Sequence, residues 1–297
     1  MIKDFLNGLA FGITQIVPGV SGGTIAIILG FYEKLIDAIN NFTKEFKKHF
    51  KFLLFFSLGI GIGILAFSSL INYLLTEFSF PTMLFFIGLI VGLIPLISQK
   101  VKGNFKFKDF ILIILPILIL VISSHLNIIQ TVDPNETISN INIPFMFFLF
   151  LVGLIAAAAL ILPGVSGSFV LLLFGVYPLA TYSVSTIRLL LTDLTNTSLM
   201  LDIIRVLGPL SIGILLGIIL TARIVGKLLK NHFRPTYLII LGLLIGSTYV
   251  LIREPIVYQS GTSSLIFMIG TITFMVGLLI SFSLGKKKIW GDKIWLN

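Results

Sequence analysis

The stretch Pro18-Gly19-Val20-Ser21-Gly22-Gly23-Thr24 returns 145 residues later as Pro163-Gly164-Val165-Ser166-Gly167-Ser168, each time inside a long apolar run. Proline has no N–H to give a helix and disfavours helical geometry in the residue before it, so each Pro closes the arm that precedes it. The glycines allow positive φ and close backbone approach. Ser21 and Ser166 are of the type that caps a new helix, with Thr24 and Ser168 adding a hydroxyl one turn on. The first N–H groups of that new helix have no intrahelical acceptor, and the helix dipole places partial positive charge on them. Such a terminus suits an anion, phosphate in particular. Two breaks that face one another would form a paired cradle from Pro18, Gly19, Ser21, Gly22, Gly23 and Thr24 on one side and Pro163, Gly164, Ser166, Gly167 and Ser168 on the other. An isolated anion in a medium of low dielectric costs tens of kcal/mol, so a phosphate needs such donors.

Other polar residues are secondary candidates. Gln15 precedes the first break, inside an apolar arm, and Glu33 follows the first hairpin; both are weighed as coupling groups for a transported ion. Arg188 and Arg205 fall in the polar connector after the second hairpin and suit steering of a phosphate head through bidentate contacts. Pairing with Asp193 and Asp202 is the competing expectation. Gly and Ser in apolar helices also serve close packing alone. Gly59, Gly61 and Gly63, and the Gly213/Gly217 pair, are read as packing seams of that kind.

The elements that position these residues are membrane spans. Of 297 residues, 57% are hydrophobic and 11% charged, with a mean hydropathy of +1.09. Six apolar runs are long enough to cross a bilayer, at 52–75, 82–98, 110–126, 206–222, 236–252 and 264–284. Regions 4–32 and 145–177 are the broken ones. The arm before Pro18 is about 13 residues, or about 20 Å of helix, against a hydrocarbon core of about 30 Å. It reads as a re-entrant hairpin. The arm before Pro163 is longer, which leaves open whether the second hairpin is re-entrant or spanning. The N-terminal run is read as retained structure rather than a leader.

Basic residues orient the spans. With both termini and the segments 33–51, 99–109 and 223–234 in the cytoplasm, 18 of the 21 Lys and Arg lie on that side, as the positive-inside rule requires. The net charge of +9 is then a topology and lipid-headgroup signal, with no nucleic acid as partner. The fold class expected is an all-α polytopic membrane protein of two inverted repeats, 1–143 and 144–297, each a re-entrant hairpin followed by three spans. Inverted repeats with broken helices point to a transport site between the halves. Cys is absent and the three His are scattered, so no catalytic residue, metal site or cofactor is expected. A carrier or channel for small inorganic anions and, from another class, a membrane-embedded lipid-phosphate enzyme are the alternatives. A lateral opening to lipid favours the lipid cargo, and a closed aqueous pore the ion.

At the two motifs, running on through Gly30-Phe31-Tyr32-Glu33 and Gly175-Val176-Tyr177, the sequence resembles the PopT family of polyprenyl-phosphate transporters. This family was long known as a bacterial membrane domain of unknown function, and the resemblance extends over essentially the whole chain. It implies a multi-pass protein of the bacterial plasma membrane that returns undecaprenyl phosphate from the outer to the inner leaflet. It also implies a lipid phosphate as substrate and membrane lipids as surroundings. The chain departs from the family pattern in carrying Gln15 where an Asp is usual, and Pro178 where an acidic residue is usual.

Overall fold

A computed structural model of the chain describes residues 1–17, 20–125, 141–192, 197–253 and 264–289. The described residues fold as helices: α1 (Ile2–Ile16), α2 (Gly22–Ile28), α3 (Tyr32–Asn40), α4 (Phe46–Glu77), α5 (Ser79–Lys100), α6 (Phe107–His125), α7 (Ile143–Ile161), α8 (Gly167–Leu173), α9 (Tyr177–Thr192), α10 (Thr197–Asn231), α11 (Phe233–Arg253) and α12 (Ser264–Ile289). Seven of them are long and apolar enough to cross a membrane, the six expected and α7. The chain is an all-α polytopic membrane protein.

Both motif regions turn back on themselves. α2 returns along α1, where a Cβ on Gly22 would lie 2.5 Å from the Phe11 ring and 2.6 Å from Gln15 Nε2. α8 returns along α7 in the same register, with Gly167 against Leu160 and Ala156. Each short helix then stops at a glycine with positive φ, Gly30 (65°) and Gly175 (69°). The amides of Gly30 and Phe31 bond the carbonyls of Ile27 and Ala26, and those of Gly175 and Val176 bond Leu172 and Leu171. This is a Schellman stop made twice. α8 and α9 meet at a bend of 114°.

Two kinds of helix seam hold the bundle. In the first, α1 lies on α4 and α7 lies on α10. A Cβ on Gly59 would fall 2.1 Å from Phe5 O, and one on Gly213 would fall 2.1 Å from Phe150 O. In the second, α5 packs on α12 and α11 on α6, with Gly88 against Phe274 O (2.2 Å) and Gly242 against Ile113 O (2.3 Å). Backbones approach this closely only where no side chain intervenes. α5 and α11 are the most buried spans, while α4, α6 and α12 present most of their surface outward. That outward surface is apolar, as lipid contact demands.

The polar segments are more helical than the sequence reading expected. Residues 33–51 hold α3 and the start of α4, and 223–234 is no loop, because α10 continues to Asn231 and α11 starts at Phe233. Lys, Arg and Leu are good helix formers, so the helix outlasts the hydropathy. The basic segments meet at one end of the bundle. Lys34 pairs with Asp4 (2.5 Å), and Arg234 pairs with Asp109 (2.9 Å) while bonding the carbonyls of Val101 and Asn104.

The seams make a contrast within one helix turn. Gly59→Leu places a side chain into the backbone of α1 and should cost about 1–3 kcal/mol or more, read as a lowered melting temperature or loss of the monodisperse species. Gly61, which has nothing within 4 Å of its would-be Cβ, should accept Leu without change in the same measurement.

Candidate functional site

The two broken regions meet. Ser21 Oγ donates to Leu162 O at 2.9 Å, and Gly164 N–H donates to Thr24 Oγ1 at 3.0 Å. Gly23 lies against the same turn, where a Cβ would sit 2.7 Å from Ile161 O and 3.0 Å from Pro163 N. Ser21, Gly22, Gly23 and Thr24 are buried, as are Pro163, Gly164, Ser166 and Gly167. Gly164 has φ +87°, and its Cα faces α11, where a Cβ would fall 2.8 Å from the Leu243 carbonyl. Ser166 and Ser168 share a 2.7 Å hydroxyl bond with each other. Pro18 and Gly19 lie outside the described residues.

One expectation is corrected. Ser21 and Ser166 stand at the N-cap positions with extended backbone, yet neither side chain caps its helix. The Ser21 hydroxyl goes to the opposite tip instead, and that of Ser166 to Ser168. An orphaned carbonyl in a buried turn competes for a hydroxyl as strongly as the first-turn amides do. The turn of the second region has little free volume, about 10 Å³ between Leu120, Gly164, Ser166, Phe169, Ser247 and Val250. The tips are closed on one another through the Ser21–Leu162 and Thr24–Gly164 bonds.

The remaining candidates disperse. Gln15 bonds back to Phe11 O at 3.2 Å, within its own helix. Arg205 lies inside α10 rather than in a connector, and reaches Asp202 at 3.5 Å. Arg188 falls in α9 with its side chain outside the described atoms, and Asp193 is likewise outside the described residues. Glu33 is no simple surface residue. Tyr237 Oη donates to its Oε1 at 2.9 Å, and Lys100 Nζ bonds Tyr237 Oη at 3.0 Å while standing 3.7 Å from the carboxylate. The adjacent Tyr32 hydroxyl is buried with no partner among the described residues. Burial first, and the Glu33 carboxylate second, push its pKa up, so it stays a neutral donor.

Sequence reasoning missed this Glu33–Tyr237–Lys100 cluster, which joins α3, α11 and α5 across separations of 204 and 137 residues. It also missed Asn40, whose Nδ2 donates to Ala222 O at 2.8 Å and joins α3 to α10. The one available signal was a polar residue at the end of an amphipathic helix. Beside the closed tips, a cavity of about 480 Å³ runs between α1, α3 and α4 on one side and α7 and α10 on the other. Its wall includes Leu160 and Ile161, the last residues before the second break, and the exposed side chains of Ser57 and Leu215.

A protein of Staphylococcus aureus (strain NCTC 8325 / PS 47) named polyprenyl-phosphate transporter is 32% identical over 287 residues, 95% of each chain. A protein of Vibrio cholerae serotype O1 (strain ATCC 39315 / El Tor Inaba N16961) with the same name is 28% identical over 260 residues, covering 83% of this chain and 76% of that one. No solved structure matches. Residues 11–265 match the family described as VCA0040-like, undecaprenyl phosphate translocase-like, and with that match spanning both tips, the chain belongs to this family.

Proposed function

We propose that this chain is a transporter of polyprenyl phosphate, and more narrowly a flippase that returns undecaprenyl phosphate from the outer to the inner leaflet of the bacterial plasma membrane. The family match and the names of the two relatives support the broader statement and support transport over catalysis. The observation that carries the mechanism is the meeting of the tips through Ser21–Leu162 and Thr24–Gly164. The phosphate is held there, by the hydroxyls of Ser21, Thr24, Ser166 and Ser168 and the first-turn N–H groups of α2 and α8. In the closed contact those hydroxyls bond protein partners, and a phosphate takes their place when the tips part.

The two halves, 1–143 and 144–297, act as inverted repeats about this point, with both termini cytoplasmic. The paired seams support the repeat relation: α1 on α4 is matched by α7 on α10, and α5 on α12 by α11 on α6. Movement of one half against the other exposes the site to each leaflet in turn. The exposed Ser57 and Leu215 beside the tips favour a cargo whose tail stays in lipid over an inorganic anion in an enclosed pore. Of the two coupling candidates, Gln15 carries no titratable proton, so the role falls to Glu33.

In proteoliposomes with labelled polyprenyl phosphate in one leaflet, Ser21→Ala combined with Ser166→Ala should lower transport about tenfold or more while the protein stays folded; wild-type flux in that variant would refute the cradle. Thr24→Val removes the acceptor of the buried Gly164 amide and should lower stability by about 1–3 kcal/mol, measured by thermal unfolding. Under an imposed pH gradient, Glu33→Gln should transport at a rate independent of the gradient. Retention of the wild-type response would remove Glu33 from coupling.

A further inference from the structure

The cavity beside the tips has an uneven lining. Phe11, Phe56, Ile60 and Ile218 make most of its wall apolar, and a single charged side chain, Arg223, borders it together with Asn40. No carboxylate lines it, and Arg223 pairs with none of the described residues. Arg223, Lys227 and Lys230 recur at spacings of four and three along α10, which places them on one face of the helix. Lys227 and Lys230 border a second cavity of about 390 Å³ at the basic end of the bundle, this one shared with Glu33 and Asp37. Asn40 borders both cavities, and its Oδ1 is buried without a hydrogen-bond partner among the described residues. Gly226 provides the room for that side chain, since a Cβ there would fall 2.2 Å from Asn40 Nδ2.

We propose that the cavity between α1, α3, α4, α7 and α10 binds a polyprenyl monophosphate, with its phosphate on Arg223 and its first isoprene units against the apolar wall. The inference rests on the transport reading and adds to it a second phosphate position, distinct from the tips and nearer the basic end. Arg223 is exposed and borders an apolar cavity whose lining holds no carboxylate, and a phosphate monoester offers its guanidinium a bidentate partner. The anionic oxygens of the monoester accept from Arg223, where Asn40 marks the junction of the two cavities. The tail leaves between α4 and α10, past Ser57 and Leu215. Neutral prenols lack the group that Arg223 recognises, and inorganic phosphate lacks the chain that fills the wall. Beyond Asn40, Lys227 and Lys230 continue the positive face to the end of the bundle, so a departing head passes from one cation to the next.

The test uses the purified full chain in nanodiscs, with farnesyl phosphate as probe and farnesol, inorganic phosphate and phosphatidylglycerol as comparisons. Wild type should bind farnesyl phosphate in preference to all three. Arg223→Ala should weaken that binding about ten- to a hundredfold and leave farnesol unchanged, and Arg223→Lys should recover part of the loss. Ile218→Trp, which fills the wall, should weaken farnesyl phosphate and farnesol together. Equal binding of farnesyl phosphate by wild type and Arg223→Ala overturns the site, as does phosphatidylglycerol or inorganic phosphate binding wild type as tightly. The transport reading is judged separately by leaflet transfer in wild type. If transfer is absent while Arg223-dependent binding holds, the site stands and the transport reading falls. If transfer and binding both survive Arg223→Ala, the site alone falls.

Discussion

A helix broken among apolar neighbours leaves carbonyls and amides that water cannot reach, each costing several kcal/mol if unpaired. This chain makes that break twice and lets each break help satisfy the other. The Leu162 carbonyl, at the end of α7, takes the Ser21 hydroxyl, and the Gly164 amide gives to Thr24. Neither tip is satisfied to this extent by its own half. The contact is consequently conditional: it exists only while α2 and the α7–α8 turn are held together, and parting them returns four polar groups to a site that must find them other partners. A phosphate has acceptor oxygens for the hydroxyls and amides, though not a donor for Leu162 O unless it carries a proton.

The rest of the bundle makes that contact possible by keeping everything around it close. Glycine seams bring α1 to α4 and α7 to α10 at backbone contact, so each arm that carries a tip is fixed against a long span. The Schellman stops at Gly30 and Gly175 end the short returning helices after two turns and redirect the chain into α3 and α9. A longer returning helix would carry the chain away from the region that α3 shares with α10. There Asn40 bonds Ala222 and the two cavities adjoin.

Legibility in the sequence followed the physics of each feature. Both breaks could be placed because Pro18 and Pro163 each stand in a Pro-Gly-Val-Ser-Gly run; proline alone is no such mark, since Pro95, Pro116 and Pro209 lie inside α5, α6 and α10. The six spans were found for a similar reason, since hydropathy is a sum over many residues. Their ends were not, because Lys227 and Lys230 favour helix as readily as they mark an interface, and α10 runs on through them. The capping role of Ser21 was misjudged because N-cap preference is a contest between local amides and whatever acceptor the tertiary fold presents. Here the acceptor was 141 residues away. The partners of Glu33 were hidden for the same reason: Tyr237 and Lys100 come to it only in three dimensions. The spacing of Arg223, Lys227 and Lys230 was legible as one helix face, but a count of charges by segment hides it.

The polar contacts between elements are few and unevenly placed, and this sets what the bundle can do. The α5–α12 seam rests mostly on apolar contact, with the Thr273 hydroxyl giving to Pro81 O at 2.7 Å across it. Ser21–Leu162, Thr24–Gly164, Asn40–Ala222 and Lys100–Tyr237–Glu33 are directional, and each joins residues of the first half of the chain to residues of the second. A hydrogen bond is worth about 0.5–1.5 kcal/mol net, so a handful of them contributes an amount that one bound anion can outweigh. Weak, directional and concentrated where the halves meet, these contacts are of the right size for a protein whose cargo must both arrive and leave.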